Sequence, residues 1–269
     1  MELDKILTQT INTAQKVGAF IKDEQSLLKN KDIETKGLHN YVTYVDKTAE
    51  MFIIEDLKKI LPDSGFLAEE GTTDLTNENE FVWIIDPLDG TTNYIHGLMP
   101  VAISIALQQN NKTILGVVYE LSHNECFYAI ENEPAYFNGK IINVSQTNKT
   151  NDSLIATGFP YYDYEYLSEY MKTLEYFMQH SHGLRRLGSA ATDLAYVACG
   201  RFDAFYEYGL SPWDVAAGAF IVEQAGGKVG DFWGQENYIF GKEIIASNNF
   251  IFNELVEILK KLMPIPREE

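Results

Sequence analysis

The sequence predicts a layered α/β or α+β architecture of enzyme-like proportions. Three observations carry that expectation. Apolar residues recur at helical spacing near the N-terminus, over 46–61 and through the second half of the chain. Short runs rich in β-branched and aromatic residues stand between them, with the character of strands. Glycine or proline closes several of these runs, and 269 residues with 45% hydrophobic content supply a core too large for a disordered chain.

The elements follow in order. Residues 1–26 form a first helix: Leu3, Leu7, Ala14, Val17 and Ile21 share a face, while Glu2, Asp4 and Lys5 interrupt the apolar stretch that a signal peptide would need. Residues 27–45 read as polar and irregular, and 46–61 as a second helix stopped by Pro62 and Gly65. Strands are expected at 65–68, 81–85, 102–108, 113–119 and 125–130, forming a sheet covered by the two helices. The polar stretch 146–152 marks the expected join between an N-terminal half, 1–145, and a C-terminal half, 146–269, of a single catalytic unit. Beyond it the pattern alternates: strand 154–157, helix 165–180, short strand 185–188, helix 192–199 ended by Gly200, and strand 203–208. Helix 215–224, ended by Gly226 and Gly227, and helix 250–262 complete the chain.

Charge and composition narrow the function. Acidic residues number 39 against 21 basic ones, a net charge of -18, and no basic run offers the patch that a nucleic-acid backbone requires. Such a protein also repels a phosphate ester, so a phosphate ligand needs a compensating cation or a patch of oriented amides. Cys126 and Cys199 form no redox or zinc motif, and the five histidines show no zinc spacing. No segment reaches the roughly 20 apolar residues of a membrane helix. A reduced, soluble, cytoplasmic protein is expected.

Three acidic constellations carry the chemistry. In Trp83-Ile84-Ile85-Asp86-Pro87-Leu88-Asp89-Gly90-Thr91-Thr92-Asn93, an apolar strand delivers Asp86 at its end, Pro87 fixes the backbone, and Gly90 permits a tight turn into a helix near Thr91. Two neighbouring carboxylates beside backbone amides suit a hard cation and phosphate oxygens, although Asp89 also fits a plain helix N-cap. Glu69-Glu70-Gly71 places acid at the end of another strand, where ligand sites of α/β proteins gather. In Ser211-Pro212-Trp213-Asp214, Asp214 stands where it could cap the small-residue helix that follows. Each motif alone is commonplace.

Together, in this order and wording, they resemble the inositol monophosphatase family, within the wider group of lithium-sensitive, magnesium-dependent phosphatases. The resemblance spans almost the whole chain. Its most specific pieces are Trp83 to Asn93 and Trp213 to Gly227, with support at 43–46, 188–193 and 205–207. It implies the layered α-β-α-β-α sandwich shared with fructose-1,6-bisphosphatase, a homodimer, and two or three Mg2+ ions. Glu69, Asp86 and the carbonyl of Leu88 would hold one ion; Asp86, Asp89 and Asp214 a second; Glu69 would join a weaker third. Like charges this close would otherwise hold protons, and divalent cations keep them ionised.

By the same resemblance, Thr91 and Asp46 orient the attacking water beside Glu69, and the amides of Gly90 and Thr91 receive phosphate oxygens. Asp46 also fits a plain N-cap. Gly188, Ser189, Ala190 and Glu207 contact the substrate, with Asp89 and Asp214 facing its alcohol. Arg185 and Arg186 are candidates for a second phosphate, or for a subunit interface or surface ion pair. Lys36 is a candidate mobile residue near the metals. The tyrosine-rich run 161–166 fits packing at a helix start, and His96 a supporting hydrogen bond. The expected substrate is inositol monophosphate; fructose 1,6-bisphosphate, NADP and 3'-phosphoadenosine nucleotides are alternatives, and a partner-binding regulatory role is the alternative of another class.

Overall fold

A computed structural model of the chain describes residues 2–27, 33–37, 40–71, 79–160 and 164–263. Helices α1 (Leu3–Gln25) and α2 (Tyr44–Ile60) are separated by an antiparallel hairpin, β1 (Ile33–Gly37) and β2 (Asn40–Thr43), that pairs Glu34 with Val42 and Thr35 with Tyr41. That hairpin stands where the sequence reads as irregular. Its residues are mostly polar, so backbone pairing leaves no alternation of apolar side chains to read. Thr43, not Asp46, is the N-cap of α2. The Thr43 hydroxyl accepts from the Val45 amide at 3.1 Å, while the Asp46 carboxylate reaches back to accept from the Thr43 amide at 2.9 Å.

The larger sheet runs β3 (Gly65–Ala68), β4 (Phe81–Asp89), β5 (Ala102–Gln109), β6 (Lys112–Glu120), β7 (Glu125–Ile130), β8 (Tyr136–Phe137) and β9 (Lys140–Ile141), with short α3 (Thr91–Ile95) following β4. Only the β3–β4 pair is parallel. Side chains of a strand alternate between faces, and β4 shows it. Trp83 and Ile85 enter the core beneath α1 and α2, with Ile21, Ile53 and Leu57, while Ile84 enters the core on the other face.

The second sheet has five strands, ordered β11-β10-β12-β14-β13, from β10 (Leu154–Thr157), β11 (Gly183–Arg185), β12 (Ala204–Tyr208), β13 (Lys228–Gly230) and β14 (Glu243–Ser247). Between the sheets lie α5 (Ala190–Ala198) and α6 (Pro212–Gln224), and on the outer face lie α4 (Leu167–Gln179) and α7 (Phe252–Leu262). The residues of α6 from Val215 to Val222 are all buried, as a helix covered by a sheet on each side requires. In β12, Phe205 faces α5 and α6 while Ala204, Tyr206 and Tyr208 face α4 and α7. The result is five layers, α-β-α-β-α, the architecture the resemblance implies. Among the described residues no helix is long and apolar enough to cross a membrane.

Other differences from the sequence reading have local causes. The strand expected at 185–188 is β11, two residues earlier, because Gly188 has φ +90° and cannot continue a strand. β13 and β14 stand in a segment for which the sequence predicts no element. β13 has three residues, and the apolar run of β14 is only Ile244-Ile245-Ala246.

The sheet and α6 approach so closely at Gly116 that a Cβ there would lie 2.8 Å from the backbone oxygen of Ala217. Gly116→Ala is expected to destabilise the fold by about 1–3 kcal/mol. Chemical denaturation checks this, and an unchanged midpoint would show that the two layers can separate at little cost.

Candidate active site

Three acids meet because β4 is irregular at its end. A regular strand would point Asp86 and Asp89 to opposite faces. The register with β5, however, passes from the pair Asp86–Ser104 to the pair Asp89–Ala102, three steps along β4 against two along β5. The extra residue is a bulge around Pro87, which has no amide to give the ladder. One carboxylate oxygen each from Asp86, Asp89 and Asp214 then lie within 4.8 Å of one another. Asp214 arrives from α6, whose Pro212 opens the helix.

Neither Asp89 nor Asp214 is the N-cap that the sequence allows. Gly90, at φ +98°, is the residue before α3, and a Cβ on it would lie 3.0 Å from the Pro100 oxygen and 3.2 Å from that of Gly188. Asp89 instead reaches across to the start of α5, accepting from Ser189 Oγ and the Ala191 amide at 2.7 Å each. Ser211 precedes α6, and Asp214 accepts from its amide at 2.7 Å. Asp86 accepts from the Leu88 amide at 2.8 Å.

Burial drives the electrostatics. It pushes Asp86 well above the usual carboxylate range, and the charges of Glu69, Asp89 and Asp214 push it further. Burial raises Asp214 to about 8, helped by the charge of Asp89. Burial raises Asp89 to about 6 against the hydrogen bonds from Ser189 and Ala191. Such a cluster takes up protons unless cations replace them. Because the donors are all carboxylate oxygens, a hard divalent cation fits them better than a thiophilic one.

These acids line a cavity of about 250 Å³ shared with Glu69, Leu88, Gly90, Thr91, Gly188, Ser189, Ala190 and Glu207. Thr91 Oγ1 lies 3.2 Å from Asp46 Oδ1 and 3.1 Å from the Leu88 oxygen. Asp46 itself is buried, which raises its pKa against its hydrogen bonds with Thr43. Glu207, expected to be solvated if it had no function, is 7% exposed and raised to about 8 by burial, with the Arg186 charge opposing. It lies directly on Gly158, where a Cβ would sit 1.9 Å from its carboxylate.

The remaining candidates separate. Arg186 lines the cavity, its guanidinium 5.4 Å from the Phe159 ring centroid, whereas Arg185 is exposed and donates to the Leu184 oxygen at 2.8 Å. Lys36 belongs to β1, and its side chain lies outside the described residues, as do residues 161–163 of the tyrosine run. Tyr166 packs edge-on against Tyr208 at 6.5 Å, and His96 is exposed beyond α3. Sequence reasoning missed Gly158, Phe159 and Asp193, all lining the cavity. The signals for Asp193 were its place at the end of the supporting match 188–193 and its being an acid within the mostly apolar helix at 190–198.

A pH effect follows. An unfolded chain ionises its aspartates above about pH 4. Asp89 and Asp214, raised to about 6 and about 8, keep protons that the unfolded chain has released. Cation-free stability therefore loses a contribution as pH rises from about 5 to about 8, and a cation displaces those protons. The gain in Tm on adding a saturating divalent cation is expected to grow across that range. A gain independent of pH would show the carboxyls already ionised.

Comparison with known proteins accords with this site. A family model described as the inositol monophosphatase family matches residues 2–263. The chain is 39% identical over 243 residues to a Nus factor SuhB of Salmonella typhimurium, covering 90% of this chain and 91% of that one. It is 35% identical over 261 residues to an inositol-1-monophosphatase of Mesorhizobium japonicum, covering 97% and 98%. A fructose-1,6-bisphosphatase/inositol-1-monophosphatase of Thermotoga maritima is 37% identical over 254 residues, covering 94% and 95%. The crystal structure of extragenic suppressor protein suhB from Bartonella henselae superposes with a TM-score of 0.91 at 38% identity, covering 96% of this chain and 99% of that one. The chain, with its buried acidic cluster and five-layer fold, belongs to the inositol monophosphatase family.

Proposed function

We propose that the protein is a magnesium-dependent phosphatase that hydrolyses inositol monophosphate to inositol and phosphate. The carrying observation is the meeting of Asp86, Asp89 and Asp214 within 4.8 Å on the wall of one cavity. The two halves of the chain act as one catalytic unit, since Asp86 and Asp89 come from the first and Asp214 from the second. As the resemblance implies, the reading extends to a cytoplasmic homodimer.

Glu69, Asp86, the Leu88 carbonyl, Asp89 and Asp214 would hold two or three Mg2+ ions. When bound, these ions supply charge stabilisation to the phosphoryl group and the leaving oxygen. The chain's own residues then position the reactants. The Thr91 hydroxyl has two acceptors for its one proton, Asp46 Oδ1 at 3.2 Å and the Leu88 oxygen at 3.1 Å, and donating to Asp46 leaves its lone pairs to accept a hydrogen bond from the attacking water. Asp46 thereby fixes the direction of that hydroxyl. The amides of Gly90 and Thr91 receive phosphate oxygens. Gly188, Ser189 and Ala190 bring the start of α5 against the ester, and Glu207 accepts from a hydroxyl of the alcohol. Water is the nucleophile, so no phosphoenzyme forms.

A bisphosphate substrate is the second reading. It draws on Arg186, the only basic side chain among the described residues that line the cavity, and on the name of the Thermotoga maritima relative. A partner-binding role draws on the Nus factor relative and leaves the cluster without a task.

Phosphate release from inositol 1-phosphate, fructose 1,6-bisphosphate, NADP and 3'-phosphoadenosine 5'-phosphate is the test, with magnesium or excess chelator. Magnesium-dependent release, fastest with inositol 1-phosphate, is expected. Asp86→Asn should lower kcat/KM by about a thousandfold, near 4 kcal/mol of transition-state stabilisation. Lithium should inhibit. Release that persists in chelator sinks the metal mechanism, and no release from any ester favours the partner-binding role.

A further inference from the structure

Asp193 lies one turn into α5, is 1% exposed and lines the cavity. Its Oδ1 is enclosed and takes no hydrogen bond. The helix does not need it as a cap, because Ser189 already accepts from the Thr192 amide. A buried polar group left without a hydrogen bond costs a few kcal/mol, and a buried charge more. Alanine or leucine would fill this position of a small-residue helix without that cost. The chain thus leaves one oxygen of this carboxyl without a hydrogen bond, as it leaves Nε of the neighbouring Arg186, and both residues border the cavity.

The surroundings state what kind of partner fits. Glu207 exerts the largest charge effect on Asp193, and Arg186 the largest on Glu207, so the three groups are close neighbours. Arg186 is held over Phe159 and against Gly188, where a Cβ would lie 2.5 Å from its Nη1. One guanidinium thus faces Asp193, Glu207 and Asp89, whose carboxyls all respond to its charge. A second phosphate on the alcohol would have only one guanidinium, already facing three carboxyls, to offset its charge and its lost hydration. An uncharged hydroxyl would meet carboxyl oxygens able to bond it.

We propose that Asp193 is a second hydroxyl-reading carboxyl beside Glu207, and that the pair selects an uncharged polyol over an alcohol bearing a second phosphate. This deepens the phosphomonoesterase reading and rests on it. Burial, aided by the charge of Glu207, holds Asp193 well above the usual carboxylate range. A protonated carboxyl both donates and accepts, so it can serve a hydroxyl in either orientation. A site built to bond a hydroxyl also discriminates against esters that lack one.

The test compares inositol 1-phosphate, fructose 1,6-bisphosphate and p-nitrophenyl phosphate, which offers no hydroxyl, in the magnesium-loaded wild type, Asp193→Ala and Asp193→Asn. In Asp193→Ala the ratio of kcat/KM for inositol 1-phosphate to that for p-nitrophenyl phosphate is expected to fall about tenfold to a hundredfold, mostly through KM. Asp193→Asn keeps a donor and an acceptor in the same volume, so its ratio should fall less than tenfold, as partial rescue. An unchanged ratio in Asp193→Ala with lower activity on both esters would mark a structural role and overturn the proposal. A wild type that prefers fructose 1,6-bisphosphate to inositol 1-phosphate would overturn it too, while leaving the phosphatase intact. A wild type that hydrolyses none of the three overturns the phosphatase reading, and this inference with it.

Discussion

Like charges resist being buried together, and that resistance is what the rest of this structure is arranged against. Asp86, Asp89 and Asp214 are brought within 4.8 Å from two different elements, so each must be held by neighbours strong enough to oppose both repulsion and lost hydration. Asp89 is held by the Ser189 hydroxyl and the Ala191 amide, at the positive end of α5. Asp214 is held by the Ser211 amide. The gap between β4 and α6 is set by Ser104, the β5 partner of Asp86, whose hydroxyl donates to the Trp213 oxygen at 3.0 Å. One sheet residue thus links Asp86 to the residue before Asp214.

The supporting ties reach well beyond the acids. Asn93 Nδ2 donates to the Pro100 oxygen and to the Leu187 oxygen, at 2.9 Å each, which binds the loop after β4 to the turn before α5. That turn depends on Gly188, and the first on Gly90, both at positive φ. At the far end of the layers, Arg201 grips Glu125 through two bonds of 2.5 Å while stacked 4.5 Å over Tyr196 and 5.3 Å over Phe137. A guanidinium fork with aromatic faces on it fixes orientation in a way a lysine would not. It locks β7 of the larger sheet to the connection between α5 and β12. The larger sheet is therefore tied to the segments that enter and leave α5.

The sequence was most legible where function and local geometry coincide. Trp83 to Asn93 carries an apolar strand, a proline and a glycine in the order that the bulge and the turn require, so Asp86, Asp89 and Gly90 stood out as candidates, although their roles came only with the family resemblance. It was least legible where a side chain answers to a distant element. Asp46, Asp89 and Asp214 each looked like a helix cap because caps are local. Only the fold shows that Thr43, Gly90 and Ser211 stand in those positions. The β1–β2 hairpin and β14 escaped for a related reason, since both are defined by their partner strands more than by their own pattern. Asp193 escaped because an acid in a helix is ordinarily solvated, and nothing nearby in sequence says that this helix lies between two sheets.

The two ends of the cavity differ in how they are built, and the difference bears on what evolution of substrate choice could change. The acidic end depends on a bulge in β4, the opening of α6 and the start of α5, all tied by backbone amides and short side chains, so altering one of them disturbs the others. The other end is assembled from single side chains on separate elements: Glu207 on β12, Arg186 on the turn after β11, and Phe159 beyond β10. A scaffold so divided keeps one hydrolytic chemistry while its alcohol varies. In this chain Glu207 and Asp193 share one guanidinium with Asp89, so no carboxyl there has a cation of its own.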